Sequence, residues 1–208
     1  MNVEYYNVIN QLPLVNNWCV AVKLHKYYIK IDSRLIDNFN IAKLYIRYGF
    51  NFWNLGMAYA AQNNNVDIIK FFIEKGATDW NWSMAYGSFN NHFELVKFFI
   101  EKGANNWDWS MEMAAKNNHF ELVKFFIEKG ADDWDEGMAF AAENNHFELV
   151  KFFIEKGADD WDEGMAFAAE NNHFDLVKFF IEKGANHYQD CDKLTTSQEI
   201  KDYLQQFL

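Results

Sequence analysis

The chain has 208 residues, half of them apolar and 19% aromatic, and 30 acidic against 19 basic residues give a net charge of −11. So much apolar surface excludes a chain too polar to fold, and the length suits one body with a good core. The acidic balance speaks against nucleic acid, because no basic patch able to neutralise phosphates is visible.

The charge is uneven along the chain. Residues 1–52 hold six basic residues (Lys23, Lys26, Lys30, Arg34, Lys43, Arg47) against Glu4, Asp32 and Asp37, while the remainder holds 13 basic and 27 acidic residues. A basic head on an acidic body permits head-to-tail self-association or a basic partner; a monomer is the simpler expectation. The opening Met1-Asn-Val-Glu-Tyr-Tyr6 lacks a basic and an apolar signal region, so no secretory signal is expected. No apolar run approaches the roughly 18 residues of a membrane span. Cys19 and Cys191 stand near opposite ends, too far apart in an elongated stack for a disulfide, which needs Cα atoms within about 7 Å. Two lone thiols point to a reducing compartment. The expectation is a cytoplasmic protein, in the host cytoplasm if the source is viral, with no membrane partner.

Tyr5 to Leu14 reads as an entry helix ending near Pro13, the only proline. Trp18-Cys-Val-Ala-Val-Lys23 resembles the start of a unit and Ile41–Gly49 its close, with an insertion of about eight residues around Tyr28–Phe39 relative to later units. Then Phe-Phe-Ile-Glu-Lys-Gly-Ala stands at Phe71–Ala77 and returns at Phe98–Ala104, Phe125–Ala131, Phe152–Ala158 and Phe179–Ala185, a period of 27 residues without a slip. Such a period means stacked copies of one small unit. Five regular units begin at Trp53, Trp80, Trp107, Trp134 and Trp161. From Tyr188 to Leu208 the pattern changes, and Thr196 or Ser197 can cap a last helix with Ile200, Tyr203, Leu204 and Phe207 on its apolar face. The expected organisation is a single repeat domain over 1–208: an N-terminal cap and irregular first unit (1–52), five repeats (53–187) and a C-terminal cap (188–208).

Each unit spells two helices. The first follows Asn54, Asn81, Asp108, Asp135 and Asp162, read as N-caps because Asn and Asp side chains accept from first-turn N–H groups. Small residues such as those in Met138-Ala-Phe-Ala-Ala142 allow close helix approach, and Asn144-Asn145 ends the helix, since Asn tolerates the left-handed conformation. The second helix runs from about Phe147 to Lys156 and stops at Gly157, a C′ glycine. Its polar residues Glu148, Lys151 and Glu155 form one narrow stripe, so the rest must be covered on several sides.

Ala-Ala-Glu-Asn-Asn-His-Phe-Glu-Leu-Val-Lys-Phe-Phe-Ile-Glu-Lys-Gly-Ala (141–158) resembles the ankyrin repeat, whose helix pair reads as two alanines, a Gly-His turn, Glu-Val-Val-Lys-Leu-Leu-Leu and Gly-Ala. The resemblance covers about 18 residues of each unit and recurs from Ala60 to Ala185. Two features depart from the family. Its unit is 33 residues, and the six missing here fall between Gly-Ala and the next helix, where the family projects a β-hairpin finger. Its Thr-Pro-Leu-His opening is replaced by Glu136-Gly-Met-Ala139 and counterparts. The resemblance implies an all-α, ankyrin-like solenoid of stacked helix pairs with fingers shortened or absent. The wording is similar to short ankyrin-like repeats of large DNA viruses and amoebal organisms.

No catalytic signature rises from the residues. His92, His119, His146 and His173 form a column that belongs to the turn between helices; stacked units sit about 10 Å apart, whereas zinc ligands lie about 2 Å from one ion. The loops Asp132–Glu136 and Asp159–Glu163 each gather four carboxylates but lack the glycine and distal Glu of a Ca²⁺ loop, so solvated charge and helix capping is the better reading. No nucleophile elbow, Walker loop or dinucleotide motif is present. No enzyme activity, cofactor or metal is expected. A metal-dependent protein using the histidines and acidic loops is the alternative from another class.

The Trp column reads as core between units. More informative are positions where the units disagree: Leu55, Trp82, Trp109, Glu136 and Glu163; seven further on, Gln62, Phe89, Lys116, Glu143 and Glu170; and Glu112 where other units have Ala139 or its equivalents. Core positions in a repeat stay uniform because each fits the same neighbour, so these are expected exposed on the first-helix face. Leu55, Trp82, Phe89 and Trp109 would be apolar anchors for a protein partner, with Glu112 and Lys116 setting orientation. In the bland alternative the N-terminal insertion folds over them. Other readings are an adaptor delivering a partner to ubiquitin-dependent degradation, whose usual C-terminal recruiting box is not recognisable in Asp190–Leu208, and a self-assembling structural protein.

Overall fold

Residues 53–208 are described by the structure, a computed structural model. The entry helix, the irregular first unit, the insertion at Tyr28–Phe39 and Cys19 lie outside the described residues. The five regular units become five helix pairs: α1 (Trp53–Gln62) with α2 (Val66–Glu74), α3 (Trp80–Phe89) with α4 (Phe93–Glu101), α5 (Trp107–Lys116) with α6 (Phe120–Lys129), α7 (Trp134–Glu143) with α8 (Phe147–Lys156), and α9 (Trp161–Glu170) with α10 (Phe174–Lys183). Two seven-residue helices follow, α11 (Tyr188–Leu194) and α12 (Gln198–Leu204). No strand occurs among the described residues, and the finger is replaced by loops such as Gly130–Asp133 between α6 and α7.

The helix ends sit where backbone chemistry places them. Asn64, Asn91, Asn118, Asn145 and Asn172 all take left-handed φ between 54° and 62°, turning the chain from first to second helix. Gly157, at φ 123°, closes α8, and Ala158 N–H donates to Phe153 O at 3.0 Å, a Schellman-type stop that a side chain would strain.

First helices stack directly on first helices. Their small residues allow it: Gly137, Met138, Ala139, Ala141 and Ala142 of α7 are all buried. Successive second helices meet instead through rings, Phe93 on Phe125 at 5.0 Å, Phe120 on Phe152 at 4.8 Å and Phe147 on Phe179 at 4.9 Å. The row of first helices is therefore the closer-packed one. Between the rows lies one continuous core, in which Met138, Leu149, Val150 and Phe153 have no exposed surface; each such side chain contributes roughly 1.5–3 kcal/mol. A Cβ at Gly137 would come within 2.7 Å of the Phe153 ring, so that glycine is set by close approach. The half-buried Phe125, Phe152 and Phe179 of the ring pairs are further covered by lysines, Lys129, Lys156 and Lys183 each 5.2–5.3 Å from a ring centre.

One sequence expectation is corrected. From α3 on, the N-cap position is held not by Asn81, Asp108, Asp135 and Asp162 but by the residue before the tryptophan, Asp79, Asn106, Asp133 and Asp160, and all of these but Asp133 cap through the side chain. Asp79 accepts from Trp82 N–H at 3.0 Å, Asn106 from Trp109 N–H at 3.3 Å and Asp160 from Glu163 N–H at 3.0 Å. The other column, two residues on, accepts two backbone N–H groups from the next unit's loop at 2.6–3.1 Å, as Asp135 does from Asp159 and Asp160. Inside the first turn it points along the stack, where the loop without a finger leaves amides to satisfy.

Candidate functional site

Along each first helix, the positions at which units disagree fall at i and i+7, and the residue at i+4 completes one face. In α1 these are Leu55, Tyr59 and Gln62; in α3 Trp82, Tyr86 and Phe89; in α5 Trp109, Met113 and Lys116. In α7 they are Glu136, Phe140 and Glu143, and in α9 Glu163, Phe167 and Glu170. The face is thus aromatic over α1–α5 and acidic, with a phenylalanine in each helix, over α7–α9.

Five of the six residues expected at the site lie on this face and Glu112 lies beside it, but none is fully exposed: Leu55, Trp82, Phe89, Trp109, Glu112 and Lys116 are each half-buried. Trp82 meets Tyr86 edge-on at 6.1 Å, and Tyr86 meets Tyr59 of the preceding unit at 5.5 Å, so rings run continuously from α1 to α3. Burial, reinforced by Tyr86, raises the Tyr59 phenol above its ordinary pKa. Lys116 donates to both carboxylate oxygens of Glu143 at 2.8 Å and lies 5.2 Å from the Phe140 ring centre.

Glu112 departs from the expectation of a free position, for Ala58, Ala85 and Ala139 in its column are completely buried. The column lies where first helices approach, so small size, not exposure, explains the alanines. Burial pushes the Glu112 carboxyl up to about 7, with Glu136, Asp133 and Asp108 adding like-charge repulsion. Glu163 is raised by the same causes, burial first and then Glu136, Asp160, Asp135 and Asp133.

The column Tyr59, Tyr86, Met113, Phe140 and Phe167 is missing from the sequence reading. Its i+4 spacing from Leu55, Trp82, Trp109, Glu136 and Glu163 was the available signal, masked because a nearly uniform apolar column also reads as core. The remaining polar columns hold the stack together. His92, His119, His146 and His173 each place Nε2 2.9–3.1 Å from a backbone carbonyl at the end of the preceding first helix. Burial lowers the His119 pKa below its ordinary value, consistent with a neutral ring donating Nε2–H. In the acidic loops Asp135 holds the next loop and Asp160 caps α9, while Asp132, Asp133 and Asp159 are exposed. Among the described residues no cluster of His, Cys, Asp or Glu is arranged to hold a metal ion, and no helix is long and apolar enough to cross a membrane.

A family model described as ankyrin repeats, three copies, matches residues 85–162 and 111–193, together more than half of the chain. The chain belongs to the ankyrin-repeat family. Among curated proteins none matches it. Ankyrin repeats are in general non-catalytic protein–protein interaction modules, and this ankyrin-repeat chain keeps their stacked helix pairs while trimming the finger.

Proposed function

We propose that this ankyrin-repeat protein binds another protein through the concave first-helix face, with Leu55, Trp82, Phe89 and Trp109 as apolar anchors and Glu112 and Lys116 setting orientation. One observation carries the reading: the buried columns stay nearly uniform from unit to unit, whereas the i and i+7 residues of one continuous face turn from apolar (Leu55, Trp82, Phe89, Trp109) to acidic (Glu136, Glu143, Glu163, Glu170) along the stack. A stack needs the first property to hold together; a surface that recognises a particular partner needs the second. In this reading the chain is a single repeat domain acting as a monomer in the cytoplasm.

The test compares partners co-purifying from a cell lysate with the full chain and with a Trp82→Glu/Trp109→Glu variant. Glutamate stands at the same position in α7 and α9, so the fold accommodates it; helical circular dichroism and a melting curve confirm that. Partners are expected to be lost with the folded variant. Full retention by that variant overturns the assignment.

A further inference from the structure

The contact of Lys116 shows how the face receives a cation. Its ammonium lies against the Phe140 ring and the Glu143 carboxylate of the next unit. One repeat further on, the same arrangement is present without its cation: Phe167 and Glu170 stand where Phe140 and Glu143 do, but the place of Lys116 is taken by Glu143 itself. Glu163 lies one turn before Phe167 on the same helix, and Glu136 lies close enough to Glu163 to repel it. Among the described residues neither Glu136, Glu163 nor Glu170 pairs with a lysine or arginine. Like charges gathered beside an aromatic ring, partly out of water, are unfavourable alone and become favourable around an incoming cation.

We propose that Phe167, with Glu163 and Glu170 on its own helix and Glu136 beside Glu163 on the preceding first helix, is a seat for a lysine or arginine of a partner protein, whose neighbouring apolar side chain lies on Trp109. This deepens, and rests on, the reading of the first-helix face as the binding surface. Charge complementarity selects the occupant: a segment with a cation at one end and an aromatic or aliphatic residue at the other. Trp109 and Phe167 are two units apart, about 20 Å at ordinary helix spacing. An extended segment covers that distance in roughly six residues.

The full chain is offered a random peptide display library, and the selected peptides are measured by calorimetry against wild type, Glu136→Gln/Glu163→Gln and Trp82→Glu/Trp109→Glu. The expected result is enrichment of Lys or Arg about six residues from an apolar residue. Affinity is then expected to fall about tenfold in the Gln variant and to weaken as salt is raised from 50 to 300 mM. Selected peptides without a basic residue, or with affinity unchanged in the Gln variant, overturn the cation seat. If those same peptides still lose binding in the Trp variant, the face remains the binding surface. Peptides indifferent to both variants, or no selected peptides, overturn both readings. Peptides resembling residues 23–47 of this chain, with dimers in solution, would show instead that the occupant is a second copy.

Discussion

At the column that is fully buried alanine at Ala58, Ala85 and Ala139, the third described unit carries Glu112. A carboxyl there exchanges water for neighbouring carboxylates, and its pKa rises from 4.5 to about 7. The sign of the consequence is fixed by linkage. Between those values the folded state holds the proton more tightly than the unfolded chain, so the contribution is present below about pH 4.5 and lost as pH rises through about 7. Glu112→Ala restores the residue that other units carry. The variant should be more stable than wild type at pH 8 by about 1 kcal/mol, a figure kept small because a half-buried carboxyl is partly screened by solvent. At pH 5 the gain should shrink. Urea unfolding at the two pH values checks this, and an equal gain at both would show that charge is not the cause. The sequence marked Glu112 as exceptional but not as half-buried, because an alanine column reads alike whether it faces water or a neighbouring helix.

At the scale of the helix, sequence punctuation was almost wholly legible. Helix α8 begins at Phe147 and ends at Lys156 as read, since Asn145 and Gly157 take conformations that few other residues accept. The N-cap register was not legible. Asn or Asp stands both before each repeat tryptophan from Trp80 on and directly after it, and only the position of the next unit's loop separates capping from stacking. That distinction is measurable. Asp135→Ala removes the acceptor for the N–H groups of Asp159 and Asp160 and should cost about 1–2 kcal/mol. Asp135→Asn should cost little, because Asn54 and Asn81 make the same pair of bonds through Oδ1. Denaturant unfolding of both variants decides it, and an asparagine as damaging as alanine would mean that charge matters more than the acceptor oxygen.

Over the whole molecule, each described unit is held by its neighbours: first helix on first helix, ring on ring, histidine to the preceding carbonyl. The 27-residue period made this architecture readable, while the binding face stayed only partly so, because Phe140 and Phe167 look like core in sequence and line the surface in the fold. Nearest-neighbour coupling implies that stability is local. The last pair, α11 and α12, buries Cys191, Ile200 and Leu204 completely but has helices of only seven residues. Ile200→Ala opens a cavity there, and large-to-small changes of this kind cost about 2–5 kcal/mol. Hydrogen exchange should then show lost protection across α11, α12 and α10, with α5 to α8 little changed. Phe153→Ala makes a similar cavity in the middle of the array and should lower protection on both sides, from α5 to α10, since the units flanking α8 each lose a neighbour. Uniform loss across residues 53–208 in the Ile200 variant would mean that the array unfolds as one cooperative body and that its interfaces are much stronger than its individual units.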